Sequence, residues 1–227
     1  MKVRESTEWC RYYWFNTERT DLPRVLLIGD SIVAGYGPLV AERLADVATV
    51  GFFSTSICVG DPAIYRQLNL AFAGYQFEVV HFNNGLHGFT TTEPDYAVGL
   101  EDFLDAIDEL APNAKHIWRN STPITVKGEP AKLDAVKNPR VIERNRLAAA
   151  IMAKRDIPVD DLYAVAVSDP AFSAGDGYHY NQQGNGGLLG TRARPDSRVS
   201  TRSARATRSA VCCTQVWRRS SPRRRAA

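Results

Sequence analysis

The stretch VLLIGDSI, residues 25–32, decides the fold, because four consecutive large aliphatic residues end abruptly in Gly-Asp-Ser. Such a run is typical of a strand that is buried on both faces, as in a parallel sheet. Gly29 permits a tight turn at the end of this strand. Ser31 is therefore predicted to stand at the carboxyl edge of the sheet, where open α/β folds place their sites.

Strand and helix patterns alternate along the rest of the chain. This alternation predicts a parallel sheet with helices on both faces. The strand patterns cover residues 24–28, 49–54, 77–82 and 115–118, with a short last strand and its exit at 157–163, and the helical patterns cover residues 38–48, 63–73, 95–110 and 139–154, with Pro38 in a first turn.

Three segments are predicted from composition. Residues 1–21 form an N-terminal arm, whose aromatic residues at 8–15 are expected to pack on the domain, the alternative being a platform that stacks a ligand. Residues 22–190 form the α/β domain. Residues 191–227 are a basic tail that is predicted to be disordered, because its composition cannot bury enough apolar surface.

The charge is divided unevenly between the domain and the tail. Residues 191–227 hold eleven of the 28 basic residues and one of the 25 acidic residues, so residues 1–190 carry 17 basic and 24 acidic residues. An acidic body argues against binding of nucleic acid by the domain. The tail is interpreted either as a basic segment for acidic partners or as a shifted reading frame, and the second interpretation is preferred.

The cysteines and the N-terminus bear on compartment and on metals. The four cysteines, at positions 10, 58, 212 and 213, match no zinc spacing and no disulfide framework. The start lacks the apolar core of a signal peptide, and no run is long enough to span a membrane. We therefore expect a reduced, cytoplasmic protein without metal, cofactor or membrane contact; its oligomeric state cannot be read from the sequence.

A nucleophilic serine needs a base, and the best candidate is His179. A serine hydroxyl is a poor nucleophile unless a base takes its proton and a third group orients that base. His81 and His116 lie within apolar strand patterns and are expected to be packed or edge residues. His179 follows Asp176 by three residues in a loop after the last strand, so that one turn can bring the carboxylate beside the ring.

These motifs together resemble those of the SGNH (GDSL-type) hydrolases. The likeness is carried by Gly29-Asp30-Ser31 and Asp176-x-x-His179, and by Gly60 and the 83–88 loop between them, in the family's order and rough spacing. It covers residues 22–184 and is greatest for the bacterial members that act on acylated carbohydrates. It implies a three-layer α/β/α sandwich with a five-stranded parallel sheet, and serine esterase activity without metal or cofactor.

The resemblance also implies roles for individual residues. Ser31 would be the nucleophile, His179 the general base and then acid, and Asp176 the group that orients His179. The backbone N–H groups of Ser31 and Gly60 would stabilise the oxyanion, each by about 3 kcal/mol.

The third oxyanion donor departs from the family pattern. The usual motif is Gly-x-Asn-Asp after the third strand. When residues are counted from the end of that strand, His87 falls at the position where the motif has Asn. A neutral imidazole can donate one N–H. As the third donor, His87 is ranked first and Asn84 second, and Asn83 is a further alternative. The structural alternative is that this loop is only a turn.

Three functions remain open from the sequence. The first is an esterase that removes acetyl or another short acyl group from a carbohydrate or small alcohol. The second is a non-catalytic carbohydrate-binding domain on the same fold. The third, a phosphate-binding α/β domain, is disfavoured because no Gly-rich phosphate loop follows the strand. The closing helix expected after His179 begins at residues 183–190 and then gives way to the tail, and its loss would predict low stability or association.

Overall fold

The computed structural model describes residues 4–189, so the predictions for the tail at 191–227 lie outside the described residues. Helices cover both faces of a central sheet, and the predicted α/β/α class is confirmed. The strands are β1 (Cys10–Trp14), β2 (Arg24–Gly29), β3 (Thr49–Thr55), β4 (Val79–Phe82), β5 (Lys115–Arg119), β6 (Thr125–Val126), β7 (Glu129–Leu133) and β8 (Val159–Asp160), and the helices are α1 (Ser31–Leu44), α2 (Ala63–Phe72), α3 (Glu93–Leu110), α4 (Lys137–Lys154), α5 (Leu162–Val167) and α6 (Gln182–Gly187).

The sheet has six strands in the order β1-β3-β2-β4-β5-β8, not the five expected. Five of them are parallel, as predicted, and the additional strand is β1, which pairs antiparallel with β3 at the edge. The aromatic arm thus contributes a strand as well as packing. Trp14 stacks on Phe77 with ring centroids 5.2 Å apart, so aromatic burial anchors the added edge.

Helix α1 begins seven residues before the predicted start at residue 38 and encloses Pro38. The Asp30 carboxylate caps the helix, because its Oδ1 accepts a hydrogen bond from Ile32 N at 2.9 Å. The proline removes one backbone donor from the helix interior. Burial of the α1 face, including Val33 and Tyr36, outweighs that loss.

The core lies in two layers, one on each face of the sheet. One layer joins the sheet to α2 and α3 through residues such as Leu68 and Phe103. The other joins it to α1 and the end of the described chain through residues such as Val33 and Leu188. Helix α6 is six residues long, and Leu188 and Leu189 after it are buried, so the glycine-rich start of the expected closing helix is helical.

The fold also contains a hairpin of β6 and β7, which was not predicted. His81 and His116 are packed side chains, as expected, and they contact Asp160 and Asp108. Within the described residues no helix is long and apolar enough to cross a membrane.

Candidate active site

Ser31 is the first residue of α1, and Asp30 alone separates it from the end of strand β2. The Asp30 cap sets the turn between strand and helix and is itself almost completely buried. Backbone N–H groups in the first turn of a helix lack intrahelical partners and carry partial positive charge. The Ser31 hydroxyl is therefore held at the sheet edge beside groups that favour a developing negative charge.

The structure brings Ser31, His179 and Asp176 together. His179 Nε2 lies 2.8 Å from Ser31 Oγ, and His179 Nδ1 lies 2.6 Å from Asp176 Oδ2. With Nδ1 protonated toward the carboxylate, Nε2 presents its lone pair to the serine hydroxyl. The three side chains are arranged so that the imidazole can take the proton of Ser31.

The Asp176 carboxylate is held in its ionised form. Burial works against ionisation, but hydrogen bonds from the His179 backbone, the His179 ring and the Tyr178 backbone outweigh it and lower the pKa of Asp176 to about 2. Its Oδ1 accepts from Tyr178 N at 2.9 Å and from His179 N at 2.8 Å. These two bonds hold the carboxylate in place beside the imidazole.

The unpredicted hairpin supports the loop that carries Asp176. Thr125 N donates to Gly177 O at 2.9 Å, and Gly128 N donates to Gly175 O at 2.8 Å. Gly175 and Gly177 both have positive φ, and a Cβ on Gly177 would lie 2.6 Å from Thr125 O. The loop therefore packs on the hairpin at a distance that only glycine allows.

Gly60 lies in a loop that is braced from two sides. Gly60 has a φ of +78°, and Gly99 of α3 packs so closely that a Cβ there would lie 2.8 Å from Gly60 N. The Asn84 side chain accepts from Val59 N at 3.1 Å and donates to Ile57 O at 2.9 Å. Asn84 thus braces the Gly60 loop.

His87 packs against the N-terminal arm. Its Nδ1 lies 2.9 Å from Glu5 Oε1, and its ring meets the Trp9 ring edge-on with centroids 5.9 Å apart. A neutral His87 whose Nδ1 hydrogen faces Glu5 has a lone pair at Nε2 and no second N–H to donate. Donation to an oxyanion from Nε2 would then require the imidazolium form.

Asn83 stands beside the turn that leads to Ser31. Its backbone N donates to Ile28 O at 2.9 Å, which continues the parallel register of β4 with β2. Phe82 packs in the layer of α2 and α3, so alternation puts Asn83 on the opposite face, the face of α1. Asn83 Nδ2 donates to Arg119 O at 2.6 Å and lies 3.3 Å from Ser121 Oγ.

Arg144 of α4 organises the loop after β4, and sequence reasoning missed it. Its guanidinium is almost fully buried and donates to the carbonyl oxygens of Gly85, His87 and Gly88 at 2.7–2.9 Å. Burial lowers the pKa of Arg144. The sequence did contain a signal for its burial. Arg144 lies three residues after Val141, on the face of α4 that the apolar positions mark as buried.

Residues 4–189 contain no group of three or more His, Cys, Asp or Glu side chains that is arranged to hold a metal ion. The absence of a cofactor stays a prediction.

The comparisons with known proteins show a shared fold. No protein-family model and no curated protein matches the chain. Among solved structures, a protein described as a GDSL-like lipase from Parabacteroides merdae matches with a TM-score of 0.59 and 17% identity over 73% of this chain and 91% of that chain. The aryl esterase of M. smegmatis matches with a TM-score of 0.59 and 17% identity over 73% and 94%.

This chain has the SGNH (GDSL-type) hydrolase fold. An acetylxylan esterase from Geobacillus stearothermophilus has the same fold, with a TM-score of 0.58 and 17% identity over 73% of this chain and 90% of that chain. The resemblance stated from the motifs is therefore confirmed at the level of the fold.

Proposed function

We propose that this protein is a serine esterase that hydrolyses short-chain acyl esters, with acylated carbohydrates as the expected substrate class. The observation that carries the proposal is the position of His179, within hydrogen-bond distance of both Ser31 Oγ and Asp176 Oδ2. The acetylxylan and aryl esterases that share the fold support the choice of esters as substrates.

The reaction follows from this geometry. Ser31 Oγ attacks the ester carbonyl carbon while His179 Nε2 takes the hydroxyl proton, and Asp176 stabilises the resulting imidazolium. The carbonyl oxygen becomes negative and accepts hydrogen bonds from the Ser31 and Gly60 backbone N–H groups. The C–O bond to the alcohol then breaks, and His179 gives its proton to the leaving oxygen. Water, deprotonated by His179, attacks the acyl-serine. The bond from the acyl carbon to Ser31 Oγ breaks, His179 returns its proton to Oγ, and the acid leaves.

For the third oxyanion donor the contacts favour Asn83 over the two residues ranked higher from the sequence. Asn83 shares a face of the sheet with α1, and its longer 3.3 Å contact with Ser121 is one that a substrate oxygen could replace. The Asn84 side chain braces the Gly60 loop, and the His87 ring contacts Glu5. Gly60, Asn83 and the N-terminus of α1 then supply the donors from three adjacent strand ends.

The test compares wild type with Ser31→Ala in hydrolysis of p-nitrophenyl acetate and in labelling by a fluorophosphonate. We expect the variant to lose labelling and to retain less than about a thousandth of the wild-type kcat, since loss of the nucleophile removes covalent catalysis. Ser168→Ala, which removes an exposed serine at the end of α5, is the matched control. Equal rates in wild type and Ser31→Ala would contradict the proposal.

The alternative function, a carbohydrate-binding domain without catalysis, makes the opposite prediction for labelling. It predicts an intact mass that is unchanged by the fluorophosphonate in wild type. Because the reagent reacts with serines activated by a neighbouring base, the mass shift and its site distinguish the two functions directly.

A further inference from the structure

The N-terminal arm is fastened to the loop that carries Gly60. Arg4 forms a bidentate ion pair with Asp61, with N–O distances of 2.9 and 3.0 Å. Further along the arm, Glu8 and Trp9 contact Ser56, which precedes Gly60. The Ser56 hydroxyl donates to Glu8 Oε2 at 2.5 Å, and Trp9 N donates to Ser56 Oγ at 2.8 Å. The arm therefore contacts this loop on both sides of Gly60.

The arm is also fastened to the loop after β4. Glu5 Oε1 lies 2.9 Å from His87 Nδ1, and the Trp9 and His87 rings meet edge-on. Since Arg144 donates to backbone carbonyl groups of the same loop, both α4 and the arm hold this loop. The arm thus bridges the two loops that flank the oxyanion donors.

A cavity of about 290 Å³ lies between the arm and these two loops. Its walls are formed by the arm, by residues on both sides of Gly60 and by the residues after His87. The lining includes Arg4, Glu5 and Glu8 of the arm, Asp61 of the Gly60 loop and Thr90 after His87. Neither Ser31 nor the loop that carries Asp176 and His179 contributes to this lining, so the cavity begins beyond the reacting atoms.

In the proposed reaction, the two halves of an ester leave the tetrahedral carbon in different directions. In the tetrahedral intermediate the leaving oxygen must be near His179, since the imidazole protonates it. The oxyanion is directed at the donors of Ser31 and Gly60. The acyl group takes the remaining direction, away from His179, and this cavity is bounded by the Gly60 loop and lacks the His179 loop.

We propose that residues 4–8 of the arm form the outer wall of the acyl pocket and restrict the enzyme to short acyl groups. This inference rests on the proposed esterase function and adds a specificity determinant to it. Glu5 and Glu8 of this wall and the adjoining Asp61 present three carboxylates against one guanidinium, that of Arg4. A long alkyl chain would have to pass this wall and displace water from its charged groups, which is unfavourable.

The test removes two arm contacts and measures acyl-chain preference in the full-length protein. The double variant R4A/E8A opens the outer wall while leaving the Glu5–His87 contact in place. We expect its ratio of kcat/KM for p-nitrophenyl octanoate to that for p-nitrophenyl acetate to rise at least about tenfold, since each added methylene that gains contact is worth a factor of about ten or more. A ratio within twofold of the wild-type value would overturn the proposal.

The matched control is R19A/D21A, which removes an exposed ion pair of the same charge composition elsewhere in the N-terminal segment. This control is expected to leave the ratio unchanged. A second variant, Thr90→Trp, fills the cavity from the opposite wall and keeps the proposal testable if R4A/E8A does not fold. We expect Thr90→Trp to lower butyrate hydrolysis at least about fivefold relative to acetate, and an unchanged ratio would overturn the acyl assignment.

These outcomes are separable from failure of the proposed function. If the protein is not an esterase, wild type hydrolyses none of the esters and Ser31 is not labelled. If the esterase function holds and the arm has no role in specificity, wild type is active and labelled, and the octanoate-to-acetate ratio of R4A/E8A matches that of R19A/D21A.

Discussion

Replacing Asp176 by asparagine tests the proposed mechanism with little change in shape. Asparagine keeps one carbonyl oxygen for the backbone N–H groups of Tyr178 and His179 and turns an NH₂ group toward His179 Nδ1. A neutral imidazole then accepts at Nδ1 and carries its hydrogen on Nε2. In that tautomer Nε2 cannot accept the Ser31 proton.

The contacts set the size of the expected effect. The 2.6 Å bond from the ring to the carboxylate is charge-assisted once the imidazolium forms, and its loss costs about 1.5–3 kcal/mol. Reversal of the tautomer adds a similar amount. At 1.36 kcal/mol for each factor of ten, a total of about 4 kcal/mol lowers kcat about a thousandfold.

The folded state should lose far less than the transition state. The Asp176 side chain is 44% exposed and its two backbone contacts keep an acceptor, so we expect a change of about 1 kcal/mol or less in the free energy of unfolding. The assay is p-nitrophenyl acetate hydrolysis at pH 8, with thermal unfolding measured in parallel. The control is Asp169→Asn, which alters another Asp cap that accepts from a backbone N–H two residues on. A folded Asp176→Asn enzyme with kcat within tenfold of wild type would refute the assigned role.

Three other outcomes are expected. Asn83→Ala should lower kcat about a hundredfold or more while KM stays within threefold of wild type. His87→Ala should lower kcat less than about fivefold. If His87→Ala has the larger effect, His87 and not Asn83 is the third donor. Gly177→Ala places a Cβ 2.6 Å from Thr125 O at a φ of +97°, which introduces a strain of about 1–3 kcal/mol. This variant should therefore lower both the thermal midpoint and kcat. An unchanged midpoint would show that the loop can move off the hairpin. Because the pKa of Asp176 is lowered to about 2, its stabilising contribution is complete above the unfolded value near 4 and is lost as the pH falls toward 2. Wild type should therefore lose more of its thermal midpoint than Asp176→Asn between pH 5 and pH 2.5, and parallel loss would contradict this origin.

Local pattern was sufficient for much of the fold. The aliphatic run before Gly29 predicted β2, and the alternation of strands and helices predicted the parallel sheet with helices on both faces. The antiparallel strand β1 was missed because aromatic residues in an arm indicate burial without indicating strand pairing. The start of α1 was misplaced because Pro38 was interpreted as a first-turn residue, whereas the Asp30 cap at the helix start decides it.

Prediction of the candidate site depended on how far its parts are determined by local sequence. The pairing of Asp176 with His179 was predictable, since three residues form one turn. The support from the β6–β7 hairpin and from Arg144 is made by backbone carbonyls of distant segments, and no residue pattern encodes such contacts. His87 was ranked first as third donor by counting residues after the strand. That count could not predict the contact of His87 with Glu5, because Glu5 lies 82 positions earlier in the chain.

The hydrogen bond between Ser31 and His179 joins residues 148 positions apart, which spans most of the described chain. Bringing two such distant segments together is slow and costs loop-closure entropy, so this pair is expected among the late contacts of folding. The proposed reaction of Ser31 would therefore report on refolding. In a denatured sample diluted into buffer, fluorophosphonate labelling of Ser31 should recover only as the two distant segments meet, after helical circular dichroism has returned.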